Sequence, residues 1–315
     1  MVRVAVLDDY QKVAAGLADW ASLGVQVDFF DDHVADADLL VERLAPYEVV
    51  VAMRERTPFR ADLIGRLPSL RLLVTTGMKN AAVDIAAANA AGVTVCGTGS
   101  PVHATAELAF GLVLAMARGL VTEAGSVVSG GWQIGLGRDV RGATLGLIGL
   151  GRLGAQMAGF GMAFGMNVIA WSENLTAERA EAVGARAVSK TQLLGDADFV
   201  SIHLRLADRT IGLIGSDELA DMKPDAYLVN TSRGPIVDEA ALLGALRAGE
   251  IAGAAIDVFE IEPLPVDHPF RSEPRLVLTP HIGYVTRETY EIFFTEAVED
   301  IAAWLAGSPV RVLAP

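Results

Sequence analysis

The sequence predicts an α/β fold of two doubly wound lobes, each with its own parallel sheet, and three observations carry that prediction. Short β-branched runs alternate with alanine-rich helical stretches along the 315 residues, the rhythm of repeated βαβ units. Most of those runs are apolar throughout and do not alternate, as strands covered on both faces are. A glycine-marked break, Gly97-Thr98-Gly99-Ser100-Pro101, separates one series of such units from a second. With 52% hydrophobic and 20% charged residues the chain has apolar surface enough for two cores.

In the first series, Val2–Leu7, Val25–Phe30, Val49–Ala52, Leu70–Thr75 and Val93–Cys96 read as strands. Gln11–Leu23, Ala35–Leu44, Pro58–Leu67 and Asn80–Ala91 read as the helices between them. The second series opens with one long helix, roughly Ala104–Val121. Strands are predicted next at Ala143–Ile148, Asn167–Trp171, Phe199–His203, Tyr227–Asn230, Ala254–Val258 and Leu276–Thr279. Thr286–Leu305 is an amphipathic helix, and the residues from 286 onward are too few for a domain. That helix is therefore expected to pack back onto the first lobe. The expected domains are 1–98 with 286–315, and 99–285, with the cleft between the lobes as the default site.

A net charge of −14 repels phosphate backbones and anionic lipid, so neither nucleic acid nor a membrane surface is an expected partner. An acidic chain that handles anions must do so with a local, focused cationic site. The single cysteine, Cys96, excludes an internal disulfide framework and a cysteine-built zinc site, and no metal is expected. Met1–Asp9 turns charged too soon for a signal peptide. The apolar stretch Leu108–Ala117 is interrupted by Gly111 and stopped by Arg118, short of a membrane span. A soluble, cytoplasmic protein is expected.

The strongest motif is Gly149-Leu150-Gly151-Arg152-Leu153-Gly154, which follows a predicted strand and opens a helix. That context is what a dinucleotide phosphate loop requires. Gly149 permits the tight turn, Gly151 lets the backbone approach a pyrophosphate, and Gly154 allows close helix–strand packing. The helix then starts at Arg152 and Leu153, where amides and partial positive charge face an anion. About 20 residues on, an acid should receive the adenosine ribose. Here Ser172 stands at the strand end and the acid, Glu173, comes one position later. Glu173 would repel a 2′-phosphate and no Arg or Lys lies within 172–178, so NAD is favoured, with NADP left open.

Three later strand ends carry polar residues. Asn230-Thr231-Ser232-Arg233-Gly234 brings an arginine, Asp257-Val258-Phe259-Glu260-Ile261-Glu262-Pro263 brings acids, and Thr279-Pro280-His281-Ile282-Gly283 brings a histidine. Arginine binds a carboxylate bidentately and stays charged. Histidine titrates where a keto group needs a proton donor, and a glutamate beside it favours imidazolium. The set suits reduction of a 2-keto acid. Spacing alone does not choose between Glu260 and Glu262.

These runs, together with the phosphate loop, resemble the D-isomer-specific 2-hydroxyacid dehydrogenases over nearly the whole chain. The resemblance implies two Rossmann-like lobes, hydride exchange between a nicotinamide cofactor and a D-2-hydroxy or 2-keto acid, and a homodimer formed through the helix near Ala104–Val121. It implies His281 as acid/base, Glu262 as its partner because the family's acid directly precedes proline, and Arg233 as substrate clamp. It also implies that Asp257 and the Thr231 carbonyl face the carboxamide, and that Thr105 and His203 line the cofactor cleft.

Two segments depart from the family pattern. Gly77-Met78-Lys79-Asn80 replaces the usual Gly-x-Gly-x-Asp-Asn loop, and Tyr284 replaces the second glycine after the histidine. The Met78 and Lys79 amides and the Lys79 charge remain candidates for substrate binding. Arg54, after the third strand, is another, and Met53, Met78 and Tyr284 suggest an apolar wall. Formate dehydrogenases of this fold carry glutamine where Glu262 stands, which argues against that activity. The alternative from another class is a cofactor-sensing binding protein with little turnover.

Overall fold

The computed structural model describes residues 1–101 and 103–314. The chain divides into two compact units, Met1–Pro101 with Thr286–Pro315, and Val102–Val285.

In the first unit β1 (Arg3–Val6), α1 (Ala14–Leu17), β2 (Gln26–Phe29), α2 (Ala37–Leu44) and β3 (Val49–Ala52) are followed by α3 (Ala61–Ile64), β4 (Leu72–Thr75), α4 (Ile85–Ala90) and β5 (Thr94–Gly97). Among the described residues the sheet order is β2-β1-β3-β4-β5, parallel throughout. β3 and β4 are buried at every position, which is why they read as continuous apolar runs.

The second unit runs through α5 (Ala104–Arg118), α6 (Leu120–Val128), β6 (Thr144–Ile148), α7 (Arg152–Ala163), β7 (Asn167–Trp171), α8 (Ala177–Glu181), β8 (Arg186–Ala187) and α9 (Lys190–Asp196). It continues with β9 (Phe199–Ile202), α10 (Ser216–Ala220), β10 (Tyr227–Asn230), α11 (Glu239–Ala248), β11 (Gly253–Ile256) and β12 (Leu276–Leu278). The strand order is β12-β11-β10-β9-β6-β7-β8, again parallel. One face of the sheet packs Leu145, Leu147, Phe199 and Val229 against Phe110 and Val113 of α5 and Met157 of α7. The other buries Ile148, Val200, Ile202 and Leu228 with Leu193 and Leu246. α12 (Arg287–Leu305), capped by Thr286, closes on the first unit, where it lies along α1 and β4 and buries Tyr290, Phe293, Phe294 and Ile301.

Four sequence expectations are corrected. The Gln11–Leu23 helix is interrupted: Asp9 accepts from the Val13 and Ala14 amides at 3.0 Å, α1 ends at Leu17, and a separate 3-10 turn over Trp20–Leu23 is capped by Asp19 and closed by Gly24 at φ 62. The helix expected over Pro58–Leu67 starts only at Ala61, because Phe59 exchanges backbone hydrogen bonds with Ala82 and Asp84. The one expected from Asn80 starts at Ile85: Asn80 spends its side chain on Ala82, Arg54 and Thr75 within the turn. The helix expected to Val121 ends at Arg118, where Gly119 adopts φ 59, and α6 leaves at 65°. β8 was too short to register as a period. No single helix among the described residues is long and apolar enough to cross a membrane.

Candidate active site

β6 delivers the chain to Gly149 at φ 101, a conformation that favours glycine. A Cβ there would fall 2.6 Å from His203 O, and one at Gly154 would strike Gly149 O. At Gly151, by contrast, a Cβ would meet nothing within 4 Å. Gly149 and Gly154 are thus required by packing, while Gly151 borders open space. Gly151 is also the N-cap of α7 and offers no side chain to the first amides of the helix, at Arg152 and Leu153. A cradle with free amides, no side chain and room for a ligand fits a pyrophosphate.

His203 backs this loop. Its Nε2 lies 2.9 Å from Ser201 Oγ, its Nδ1 is buried without a partner, and burial pushes its pKa down to about 4. The ring is neutral at pH 7. At the end of β7, Ser172 is half-buried and Glu173 exposed, and Glu173 Oε2 lies 3.8 Å from Arg209 Nε. No Arg or Lys lies within 172–178, but the turn after β9 brings Arg209 to this acid from a distance that a local window does not reach.

The loops after β10, β11 and β12 build the second part of the site. Beyond β10, Asn230 is buried, its Oδ1 accepts from Ser232 N and its Nδ2 donates to Arg233 O, both at 3.0 Å. Ser232 Oγ donates to Ile202 O at 2.7 Å. Thr231 is buried in this turn, and the half-buried Arg233 donates from Nη1 to Ser232 O at 2.6 Å. A Cβ on Gly234 would lie 2.5 Å from Glu260 N and closer still to the Phe259 carbonyl, so the loops after β10 and β11 cross in backbone contact.

Glu262 is fixed from that crossing. Its Oε1 accepts from Phe259 N at 2.9 Å and its Oε2 lies 2.5 Å from His281 Nδ1. Nε2 of His281 meets no hydrogen-bonding partner among the described residues. His281 stands at φ 54, a left-handed conformation unusual for a side-chain-bearing residue. Asp257 holds it there. Fully buried at the end of β11, Asp257 accepts from Thr279 Oγ1 at 2.6 Å and Ile282 N at 2.8 Å through Oδ1, and from Gly283 N at 2.9 Å through Oδ2. Burial raises its pKa despite those donors and the nearby His281. Thr105 Oγ1 donates to Gly283 O at 2.9 Å, so Asp257 and Thr105 grip the histidine loop from two elements. The Tyr284 ring meets His281 edge to face at 5.5 Å. Glu260 accepts no part of this: its amide binds Glu239 Oε1.

In the first unit, Arg54 also adopts a positive φ, 52. Its amide donates to Thr76 Oγ1 at 2.8 Å and its Nη1 to Thr76 O at 3.0 Å, with the guanidinium against Gly77. Gly77, at φ 97, donates to Thr98 Oγ1 at 2.9 Å. Met78 and Lys79 are exposed at the tip, and their amides reach no protein acceptor among the described residues.

Residues 110–283 match the family profile described as D-isomer specific 2-hydroxyacid dehydrogenase, NAD binding domain. The chain is 41% identical to the glyoxylate reductase of Aeropyrum pernix over 78% of its own length and 76% of that protein's. The chain belongs to the D-isomer specific 2-hydroxyacid dehydrogenase family. As a member it is an NAD-dependent D-2-hydroxyacid dehydrogenase, with NADP compatible. This dehydrogenase is also 38% identical to the D-3-phosphoglycerate dehydrogenase of Archaeoglobus fulgidus over 86% of its own length, spanning about half, 52%, of that longer protein. The crystal structure of a phosphoglycerate oxidoreductase from Vibrio cholerae matches it at a TM-score of 0.93 and 38% identity, over 98% of this chain and 100% of that one.

Proposed function

We propose that the enzyme reduces a small 2-keto acid to its D-2-hydroxy acid, with His281 as the proton donor. The observation that carries this reading is the Glu262–His281 pair. Glu262 Oε2 takes up Nδ1 at 2.5 Å and leaves Nε2 as the working nitrogen, aimed to pass a proton to a forming alkoxide. Arg233 supplies the charge that draws the substrate carboxylate toward the acid/base. In the first unit, the Met78 and Lys79 amides and the Arg54 and Lys79 charges supply further anion-binding groups. Tyr284, set against the His281 ring, narrows the space at the reacting carbon and favours small acids. Asp257 and Thr105 position the histidine loop, and Asn230 positions the clamp.

The cofactor, when bound, supplies or accepts the hydride. Gly149, Gly151, Arg152, Leu153 and Gly154 would hold its pyrophosphate, Ser172 and Glu173 its adenosine ribose, and the Thr231 carbonyl and Asp257 its carboxamide, with Thr105 and His203 lining the cofactor cleft. Residues 1–98 with 286–315 serve as the substrate domain and 99–285 as the dinucleotide domain. A homodimer is supported by Leu120, Val128, Trp132, Ile134 and Leu136, large apolar residues exposed together on and just beyond α6.

The test is consumption of reduced cofactor, with NADH and NADPH in parallel, across glyoxylate, hydroxypyruvate, pyruvate and bulkier 2-keto acids. Turnover highest with the small acids supports the reading. Cofactor binding without turnover on any acid would favour a sensor.

A further inference from the structure

In the first unit the segment after α12 doubles back beside β5. Leu313 N donates to Val95 O at 2.8 Å, Gly97 N donates to Arg311 O at 3.1 Å, and Val312 bridges Cys96 in antiparallel fashion. Arg311 stands at φ 49, so its backbone conformation has to be held by its surroundings. Three acidic residues of α12 do this. Nε donates to Asp300 Oδ1 at 3.0 Å, and Nη2 donates to Glu299 Oε2 at 2.9 Å and to Glu296 O at 2.8 Å. The Glu296 carboxylate lies 3.6 Å from Nε and also accepts from Gly99 N at 2.5 Å. Asp300 is fully buried and its Oδ2 has no partner, so Arg311 is its principal compensation.

What this latch holds is the support of the Gly77–Lys79 turn. A Cβ on Gly97 would fall 2.8 Å from Gly77 O, 3.2 Å from Met78 Cα and 3.2 Å from Leu313 Cδ1. Tail, strand end and turn therefore meet at one point, with Thr98 tying the turn a second time through Gly77 N. Space of that kind transmits displacement, because backbone and a packed leucine cannot yield independently.

We propose that Arg311 is a positioning residue for the substrate: it pins the C-terminal segment onto β5, and that segment fixes the Met78 and Lys79 amides that receive the substrate's carboxylate. The inference rests on the reading of that turn given under the proposed function. It makes residues 311–313 part of substrate recognition without contact between Arg311 and the substrate.

The test compares Arg311→Ala, Arg311→Lys and Leu313→Ala in the full-length enzyme, with Gly77→Ala as the control for the turn. Arg311→Ala is expected to raise KM for the preferred keto acid about tenfold or more while kcat stays within about threefold, and NADH affinity by fluorescence titration stays unchanged. Arg311→Lys keeps the charge without the fork and recovers part of the loss. Leu313→Ala raises KM less, in the same direction, and decides the matter if Arg311→Ala fails to fold. Gly77→Ala, whose Cβ would strike the Arg54 guanidinium, raises KM independently of the latch. A normal KM in folded Arg311→Ala or Leu313→Ala, with a raised KM in Gly77→Ala, overturns the latch alone. A normal KM in Gly77→Ala shows that the turn does not bind the carboxylate, and overturns the reading and the proposal together.

Discussion

Gly234→Ala places a methyl group where the loops after β10 and β11 cross. The added carbon would stand 2.5 Å from Glu260 N and nearer to the Phe259 carbonyl, against an ordinary contact of about 3.4 Å. One backbone must therefore retreat by at least about 0.9 Å. Arg233 adjoins the glycine on one side of the crossing. On the other, Phe259 N is the donor that aims Glu262 at His281. A shift of that size between the proposed anion clamp and the proposed acid/base is expected to cost on the order of 10²-fold in kcat/KM, and the overpacking itself about 1–3 kcal/mol of stability. Steady-state reduction of the preferred keto acid reads the first, and thermal unfolding the second. NADH affinity is expected to fall far less than kcat/KM, since the pyrophosphate loop Gly149–Gly154 follows β6, away from the crossing. A folded variant with kcat/KM within about threefold of wild type would refute the claim that this crossing sets the site geometry.

Two further predictions follow from charged groups away from the acid/base. Glu173→Gln removes the charge proposed to face the ribose but leaves Arg209, so the ratio of NADPH to NADH affinity is expected to rise about tenfold, and an unchanged ratio would take Glu173 out of cofactor selection. Burial raises the Asp300 carboxyl from 3.8 to about 7, so between those pH values the folded state holds a proton that the unfolded state has released. Its contribution to stability is greatest below that window and falls as pH rises through it, by at most about 1.4 kcal/mol per pH unit. Asp300→Asn should flatten that part of the urea-denaturation profile; parallel profiles for the two proteins would contradict it.

Strand positions were legible because a buried parallel strand leaves a continuous apolar run, as in Val49–Ala52. Helix ends were less so. Gly119 and Asp19 decide them through one backbone angle or one side-chain cap, and neither changes the apolar period that announces a helix. At the site, Gly149, Gly151 and Gly154 were readable because the glycine requirement is local. Glu262 was separated from Glu260 by the family resemblance; in the structure only Glu262 turns to His281, and Glu260 is held elsewhere through its amide. The supporting residues were not legible. Asp257 grips the loop that carries His281, Asn230 holds the Arg233 turn, and Arg209 approaches Glu173, each through contacts between strand ends far apart in sequence. The Arg311 latch is of the same kind, joining residues 311–313 to β5 of the first unit's sheet.

The central claim is that His281 donates the proton on which keto-acid reduction depends. The measurement that tests it most directly is single-turnover reduction of the preferred 2-keto acid by His281→Ala with saturating NADH, alongside NADH affinity by fluorescence. The account predicts a rate lower by about 10²-fold or more with NADH binding unchanged. A single-turnover rate equal to that of wild type would remove His281 from the chemistry.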